Sequence, residues 1–373
     1  MVNLKIIIII CAVAITNSIA LAQLPDHFDW RNVNEKNWMT PVKNQGQCGS
    51  CWAFSAVGAV DAQFNIFFDW AEYDIDLSEE HLVSDCFQPW NCAGGWHDDA
   101  LAFIRDFGIT DEACFPYVDS DCPMWCGCAH GCSNAECDDR CDEWSIRLWQ
   151  IDDMEHVLNT VGAIKNYIYS AGPLSVCMDW RNGDFDEDGI WRCDPDSWYH
   201  HCVVLVGWDE TDDYWIAKNS WGAAWPPHDP SGYFKIGFGE CLVQNLAYGV
   251  TLDNPDIDKF RIVNSLGETV AWFGDSGNIV LKRSLEPNTT PDANDSIDEF
   301  RFQDSNGVDV AIIDANSGDM YIKGSLHEGE GTLNPQGDNH FIIKDVNDST
   351  IAYIDDPNGD LYLKGKLYQN PEE

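Results

Sequence analysis

Basic residues are scarce in this chain of 373 residues. There are 21 lysines and arginines against 63 aspartates and glutamates, which gives a formal net charge of −42. A surface this acidic repels the phosphates of nucleic acids and of anionic membranes. We therefore expect no nucleic-acid partner and no attachment to an anionic lipid surface.

Long apolar runs are absent after the first residues. The run from Ile6 to Ile15 is about ten residues long, whereas a membrane-spanning helix needs about 20. Lys5 precedes this run and the small-x-small pattern Ala20-Leu21-Ala22 follows it, as in a secretory signal peptide. The pattern predicts a signal peptide over residues 1–22 and a secreted, extracellular protein. A membrane anchor is the alternative interpretation.

Cysteine is absent from the last third of the chain, after Cys241. Of the 16 cysteines, Cys11 falls within the predicted signal peptide, which leaves 16 − 1 = 15 in the mature chain. Thiols in secreted proteins normally pair, so the odd count predicts one free, reactive thiol. The change in composition divides the mature chain into a disulfide-containing enzyme domain over residues 23–253 and a tail over residues 254–373.

A pattern of about forty residues recurs three times in the tail. Alternating apolar residues broken by glycines predict strand, turn, strand, turn, strand in each copy. One copy cannot bury its own apolar face, so we expect the copies to pack on one another or on the enzyme domain. Contact with a cell surface or a polymer and a spacer role are both open for this all-β region. The copies lie near 258–285, 298–326 and 339–368.

The segment from Gln45 to Ser55, QGQCGSCWAFS, is the most informative stretch of the sequence. It predicts a glycine-containing loop that leads into a helix from Trp52 to about Phe64, with Cys51 at the helix N-terminus. The positive end of the helix dipole favours a thiolate at that place. Cys51 is therefore the predicted nucleophile.

Two later segments carry residues that could activate this thiol. His201 opens the apolar segment HCVVLVGW, 201 − 51 = 150 residues after Cys51. Asn219 lies in the segment YWIAKNSWGAAW. His200 directly precedes His201 and is the alternative histidine.

Together these segments resemble the papain and cathepsin family of cysteine proteases, over roughly residues 24–251. The resemblance implies an α+β, papain-like two-lobed fold, with a helical left lobe and a β-barrel-like right lobe, followed here by the all-β tail. In the family pattern the catalytic histidine precedes a Gly-aromatic pair by six and seven positions, which selects His201 over His200. The chain would then be a cysteine endopeptidase that acts on polypeptides through an acyl-enzyme.

The resemblance also implies a role for each residue of the site. Cys51 would be the nucleophile, His201 the base and then the acid, Asn219 the residue that orients His201, and Gln45 an oxyanion donor. The segment NCAGGW looks like the family's Cys-x-Gly-Gly segment, whose backbone pairs with an extended substrate. Trp96 would wall the S2 pocket, and Trp221 would shield the His201–Asn219 bond. The expected substrate contacts are Gly49, Gly94, Gly95, Trp96, Cys177, His200 and Trp221.

By the same resemblance we expect the disulfides Cys48–Cys92 and Cys86–Cys122, and Cys193–Cys241 is a plausible third. Cys177 and Cys202 fall on strands that neighbour each other in this fold. They are either bridged or two buried thiols, and we favour a bridge.

The stretch from Cys114 to Cys141 carries seven cysteines, a cluster that is unusual for the family. Disulfides are favoured over a zinc site because the chain is predicted to be secreted. A loop inserted here could also block one end of the cleft and make an exopeptidase. Such a loop must grip a terminal carboxylate, and His130 and Arg140 are the only positive candidates in it.

We expect no cofactor and no metal for the reaction itself. Calcium is the alternative for three acidic loops, 184–189, 314–319 and 355–360, although β-turn chemistry explains them as well. Leu24 to Arg31 resembles a mature family N-terminus, and it begins two residues after the predicted cut, so we expect no inhibitory propeptide. Two other functions stay open. These are a catalytically silent scaffold whose tail binds or adheres, and acyl transfer to an amine.

Overall fold

The structure is a computed structural model, and its description covers most of the predicted enzyme domain and the strands of the tail. The predicted signal peptide lies outside the described residues. The described ranges are 24–68, 70–71, 75–118, 135–142, 144–181, 183–193, 198–226, 230–252, 260–263, 269–273, 279–282, 285–286, 299–303, 309–314, 319–328, 333, 335, 340–344, 350–355, 360–364 and 367–368.

The described residues form four α-helices, of which the first is central. It is apolar on almost every side, as expected for a helix that is buried all round. It packs against the third helix on one side and against the sheet on the other. None of the described helices is long and apolar enough to cross a membrane. The helices are α1 Cys51–Phe68, α2 Glu80–Val83, α3 His97–Phe107 and α4 Val161–Ser170.

Nine strands make one sheet in the first part of the chain. Its order is β2-β9-β3-β6-β7-β8-β5-β4, and β1 pairs with β6. Strand β6 is the middle of the sheet and reads as a continuous apolar run because it is buried on both faces. The strands are β1 His27–Asp29, β2 Asp153–His156, β3 Leu174–Met178, β4 Gly183–Phe185, β5 Ile190–Cys193, β6 His201–Asp209, β7 Tyr214–Lys218, β8 Tyr233–Gly237 and β9 Leu246–Thr251.

Two apolar clusters hold this part of the chain together. One lies between α1, α3 and the sheet and contains Trp52 and Trp149. The other is built on the sheet and α4 and contains Trp208 and Trp215. All four indoles are almost completely buried. A helical half and a sheet half, each with its own core, agree with the expected two-lobed α+β fold.

Five disulfides join the described cysteines. Two follow the expected pairing, Cys48–Cys92 and Cys193–Cys241. Cys177 and Cys202 are bridged, because antiparallel β3 and β6 place them directly opposite each other. Cys114 pairs with Cys141 at the ends of the cysteine-rich stretch.

The expected pairing of Cys86 with Cys122 is wrong, because Cys86 is bonded to Cys137. A short 3-10 turn over Cys137–Asp139 brings this sulfur into reach. The Cys137 amide donates a hydrogen bond to Asp85 Oδ1 at 2.6 Å, which places the turn beside Cys86. Cys122 itself lies outside the described residues.

The tail forms three four-stranded sheets. Each predicted copy supplies three consecutive antiparallel strands to its own sheet. One apolar cluster contains side chains from all three copies, including Ile279, Ile313 and Leu361. The strands are β10 Phe260–Val263, β11 Thr269–Phe273, β12 Ile279–Leu281, β13 Leu285–Glu286, β14 Glu299–Gln303, β15 Asp309–Asp314, β16 Met320–Ile322, β17 Leu326–His327, β18 His340–Lys344, β19 Thr350–Asp355, β20 Leu361–Leu363 and β21 Leu367–Tyr368.

The fourth strand of each sheet comes from another copy, and this exchange closes the tail into a ring. Strand β13, at the end of the first copy, pairs in parallel with β16 of the second. Strand β17 likewise passes from the second copy to β20 of the third. Strand β21, at the end of the third copy, returns to β12 of the first. The copies therefore pack on one another and share a single core.

Removal of residues 365–373 is expected to destabilise the whole tail and not only its last strand. It opens the ring at β12 and removes Leu367, which is 1% exposed. Loss of a buried leucine and of the ladder hydrogen bonds costs about 3–5 kcal/mol. Thermal unfolding followed by calorimetry should show a tail transition at clearly lower temperature. Removal of only residues 370–373, which follow β21, is the control, and equal transitions for the two truncations would contradict ring closure.

Candidate active site

Cys51 is the first residue of helix α1. The carbonyl of Ser50 accepts hydrogen bonds from the amides of Ala53 at 2.8 Å and Phe54 at 3.1 Å, so the helix starts at the thiol. Cys51 is half-buried, and it is the one free cysteine among the described residues. The free thiol among these residues is thus the predicted nucleophile.

The helix N-terminus and burial shift the pKa of the Cys51 thiol in opposite directions, and burial has the larger effect. Burial raises the pKa of the Cys51 thiol to about 11, although backbone amides of Cys202, Trp52 and Cys51 itself oppose the shift. Burial likewise lowers the pKa of His201 to about 4, against the opposing hydrogen bond to Asn219. Burial therefore disfavours a lone charge on either side chain. Proton transfer between them creates two opposite charges that stabilise each other.

The hydrogen bonds of Asn219 fix which nitrogen of His201 carries the proton. The atom Asn219 Oδ1 accepts from the Ser220 amide at 2.8 Å, which identifies it as the oxygen. His201 Nε2 lies 2.7 Å from the same oxygen and must donate to it. In the neutral imidazole, Nδ1 is then the basic nitrogen.

Trp221 covers this hydrogen bond. Its ring stacks on the His201 imidazole with centroids 4.5 Å apart and planes 24° apart. His201 and Asn219 are 4% and 3% exposed. Exclusion of water strengthens the hydrogen bond and keeps the imidazole in one orientation. The family resemblance implies a shielding role for Trp221, and this role stays a prediction.

Gln45 is held by three neighbouring groups. Its Oε1 accepts from Ser220 Oγ at 2.6 Å, and its Nε2 donates to the Cys48 carbonyl at 2.9 Å. Its own carbonyl accepts from the Tyr117 hydroxyl at 2.9 Å. A side-chain amide has two N–H groups, so one remains to serve as a donor. Gln45 is therefore a fixed donor in the same cleft as Cys51.

One cleft of about 390 Å³ brings most of the predicted site together. Asn219 lies behind its wall, hydrogen-bonded to His201. A volume of this size lies within the usual range of small-ligand pockets, about 300–1,000 Å³. The cleft is lined by Gln45, Gly46, Gln47, Cys48, Gly49, Cys51, Trp180, Arg181, His200, His201 and Trp221.

The glycine segment lies outside this lining and flanks helix α1. Gly94 has a φ of +128°, in the region that favours glycine. A Cβ on Gly95 would lie 2.5 Å from the Trp52 ring, so no larger residue fits there. Trp96 is 39% exposed and meets Tyr199 edge to face at 6.2 Å. The Gly49 amide donates to the Cys92 carbonyl at 2.8 Å, which ties this segment to the Cys51 loop.

The Cys177–Cys202 bridge lies next to His201 at the start of strand β6. Met178, which follows Cys177 in β3, stands opposite His201 in β6. Cys177 is fully buried and Cys202 is 6% exposed. The bridge links β3 to β6 next to His201, whose imidazole must keep its orientation.

Ser220, Trp180 and Arg181 were not predicted as site residues. Ser220 contacts both Asn219 and Gln45, and its position in the Asn-Ser-Trp motif was the only signal for it. Trp180 meets the edge of His201 at 5.7 Å and of Trp221 at 4.9 Å. Trp180 and Arg181 follow strand β3 directly, and only strand pairing reveals that they reach the cleft.

Arg140, a candidate for gripping a terminal carboxylate, is not in this cleft. Its Nε donates to the Cys137 carbonyl at 2.6 Å, and its guanidinium lies 3.7 Å from the Trp144 ring centre. It lines a different groove, beside Cys86 and Phe103. His130, the other candidate, lies outside the described residues.

The acidic loop at 184–189 is the turn between β4 and β5. The Asp186 carboxylate accepts from the amides of Asp188 and Ile190, at 3.0 and 2.9 Å, and from Arg192 at 3.0 Å. The described residues contain no group of three or more side chains arranged to hold a metal ion. Parts of the acidic turns at 314–319 and 355–360 lie outside the described residues.

The pH profile of the reaction follows from the two shifted pKa values. The Cys51–His201 pair holds a single proton between about pH 4 and about pH 11. The proton lies either on Cys51 or on His201. These two forms hold the same number of protons, so the ratio between them does not change with pH. We expect kcat/KM on an uncharged peptide to be flat between roughly pH 5 and 9 and to fall below about pH 4, where His201 gains a second proton. A limb of the profile between about pH 5 and 9 would contradict this assignment.

Comparison with known proteins gives the same picture. Residues 24–251 match the family described as papain family cysteine protease. The chain is 33% identical over 230 residues to a viral cathepsin of the Cydia pomonella granulosis virus, covering 61% of each chain. It is 36% identical over 219 residues to digestive cysteine proteinase 3 of Homarus americanus, covering 56% of this chain and 60% of that one. Digestive procathepsin L2 of Tenebrio molitor larval midgut has a similar structure, with a TM-score of 0.50, 29% identity and coverage of 62% of this chain and 70% of that chain.

This chain spans about three fifths of the length of the viral and lobster relatives that it matches. The family match ends at residue 251, before the tail. Within it lie the free thiol, the oriented imidazole and the fixed glutamine amide. This chain belongs to the papain family of cysteine proteases.

Proposed function

We propose that this protein is a secreted cysteine endopeptidase that hydrolyses peptide bonds through an acyl-enzyme on Cys51. The observation that carries the proposal is the meeting of three groups in one cleft. These are the free thiol, an imidazole with a fixed tautomer, and the amide of Gln45. Secretion is supported by the signal-peptide pattern and by the five disulfides of the described residues.

The residues carry acylation as follows. His201 Nδ1 takes the proton from Cys51 Sγ, and the sulfur attacks the scissile carbonyl carbon. The oxygen becomes negative and accepts hydrogen bonds from the Gln45 amide and from the Cys51 backbone N–H. When the C–N bond breaks, His201 returns the proton to the departing amine. The first product leaves, and a thioester to Cys51 remains.

Deacylation uses the same groups in reverse. A water molecule gives its proton to His201 Nδ1 and attacks the thioester carbonyl. The tetrahedral species collapses with cleavage of the C–S bond, and the proton returns to Cys51 Sγ. Asn219 holds the ring through Nε2–H in every step, so Nδ1 always faces the reacting atoms.

Hydrolysis of a panel of quenched fluorogenic peptides by the purified mature protein, with reductant present, tests this function. We expect internal cleavage, with initial rates proportional to the fraction of free thiol titrated in the preparation. A preparation with intact disulfides and a full free thiol that cleaves no member of the panel would favour the scaffold interpretation instead.

Replacement of Gln45 by alanine is expected to lower kcat by about 10²-fold or more with a much smaller change in KM, because the lost donor acts on the transition state. Gln45→Glu keeps the size of the side chain and removes the donor, so it should be impaired to a similar degree. Steady-state kinetics on one peptide separate kcat from KM. A loss that falls mainly on KM would argue against the oxyanion role.

A further inference from the structure

The wall of the cleft formed by Trp180, Arg181 and His200 takes no part in the chemistry described above. Arg181 is exposed, and among the described residues that line this cleft it is the one with a permanent positive charge. Its guanidinium forms no ion pair with any carboxylate in the described part of the chain. The protein carries a formal net charge of −42, so a cation that lines the cleft without an ion pair to any described carboxylate is a marked local exception.

This wall is fixed by a buried carboxylate. Asp179 is fully buried, and its Oδ1 accepts from the Arg181 backbone amide at 3.1 Å. The same oxygen lies 3.2 Å from His200 Nδ1. The His200 amide in turn donates to the Met178 carbonyl at 2.9 Å. Asp179 thus orients both neighbours and has His200 as its own partner, which leaves the Arg181 side chain available to a ligand.

The wall belongs to a part of the cleft to which the glycine segment does not contribute. Trp180 packs on Trp221, which covers the His201–Asn219 bond. The glycine segment, which by family resemblance pairs with substrate before the scissile bond, contributes no residue to this cleft. If the glycine segment pairs with the residues before the scissile bond, the wall formed by Trp180, Arg181 and His200 is the part of the cleft that remains for the residues after it.

We propose that Arg181 makes the leaving-group side of the cleft selective for a carboxylate. A planar guanidinium binds a carboxylate through two parallel hydrogen bonds, and flanking indole rings reduce competition from water. The carboxylate is either the side chain of Asp or Glu directly after the scissile bond or the free C-terminus of a short leaving segment. This inference rests on the proposed protease function and adds its specificity.

Matched peptides that differ in one group test the proposal. The first set varies the residue after the scissile bond among Glu, Gln and Lys, with both ends blocked. The second set keeps Gln there and ends one or two residues later in a free or an amidated C-terminus. We expect the wild type to prefer the carboxylate form of one set by about 5- to 10-fold in kcat/KM at low salt, and by less in about 0.5 M salt, where the charges are screened.

The variants decide whether Arg181 causes the preference. In Arg181→Gln the ratio should fall to about 1–2, and in Arg181→Glu the Lys peptide should become better than the Glu peptide. Arg192→Gln is the matched control, because Arg192 is 40% exposed, pairs with Asp186 and lies outside the cleft. It should keep the wild-type ratio. The set that responds to Arg181 identifies the source of the carboxylate.

Cleavage by the wild type without preference in either set would overturn this inference and leave the protease function intact. A preference that survives Arg181→Gln would overturn it as well. Failure of the wild type to cleave any peptide would instead refute the proposed function, and the specificity with it.

Discussion

Replacement of Cys51 by alanine should lower kcat/KM for peptide hydrolysis by at least about 10³-fold, because no other free thiol lies in the described part of the chain to replace it. The substitution removes one sulfur from a half-buried position and leaves all five disulfides in place. The measurement is hydrolysis of the best peptide of the panel at several enzyme concentrations. Far-UV circular dichroism and the unfolding temperature should match the wild type.

Comparison of the Cys51→Ala variant with the wild type distinguishes an enzyme from a catalytically silent scaffold. A silent papain-like scaffold would show the same background hydrolysis with and without Cys51. Residual activity of the variant above one hundredth of the wild-type value would show that another residue performs the attack.

The two adjacent histidines should respond very differently to substitution. His201→Ala is expected to cost at least about 10³-fold in kcat, because it removes the base and leaves Asn219 without its partner. His200→Ala removes a side chain of the cleft wall that contacts Asp179 and is expected to cost less than about tenfold. Both variants are compared on one peptide at one pH.

The assignment of His201 as the base depends on which of the two substitutions lowers kcat more. The reverse order, with the larger loss at His200, would contradict the choice of His201 and the hydrogen bond that supports it. His201→Gln is a useful companion variant because glutamine can still meet Asn219 but cannot act as the base.

The residues that sequence reasoning identified well are those within short motifs. Cys51 could be placed at a helix start because the glycine loop and the apolar run that follows it are local features. Asn219 and Gln45 also stand in distinctive segments. Their contact through Ser220, in contrast, joins positions 175 residues apart and required the strand order.

Packing decides the features that the sequence analysis missed or assigned wrongly. The Cys86 partner could not be chosen among seven cysteines in a stretch whose turns have no sequence signature, and the Asp85 contact selects Cys137. The pKa of Cys51 depends on how deeply α1 is buried, which the motif does not reveal. Arg181 reaches the cleft through the pairing of β3 with β6, and no motif contains it.

In the tail, too, the local features could be predicted from the sequence, whereas the packing between copies could not. The period of about forty residues predicted three copies of three strands, because alternation and turns are local. The fourth strand of each sheet comes from another copy. These strands, β13, β17 and β21, are too short to be recognised in the sequence. Closure of the ring is therefore a property of the assembled copies and not of any one of them.

The most direct test of the central claim is mass-spectrometric mapping of the purified mature protein after treatment with an epoxide inhibitor of papain-like proteases. Attack by an activated thiol on the epoxide predicts a single label on Cys51, loss of cleavage in proportion to labelling, and no label in His201→Ala over the same time. Labelling at another residue, or full labelling of Cys51 with undiminished hydrolysis, would contradict Cys51 as the nucleophile.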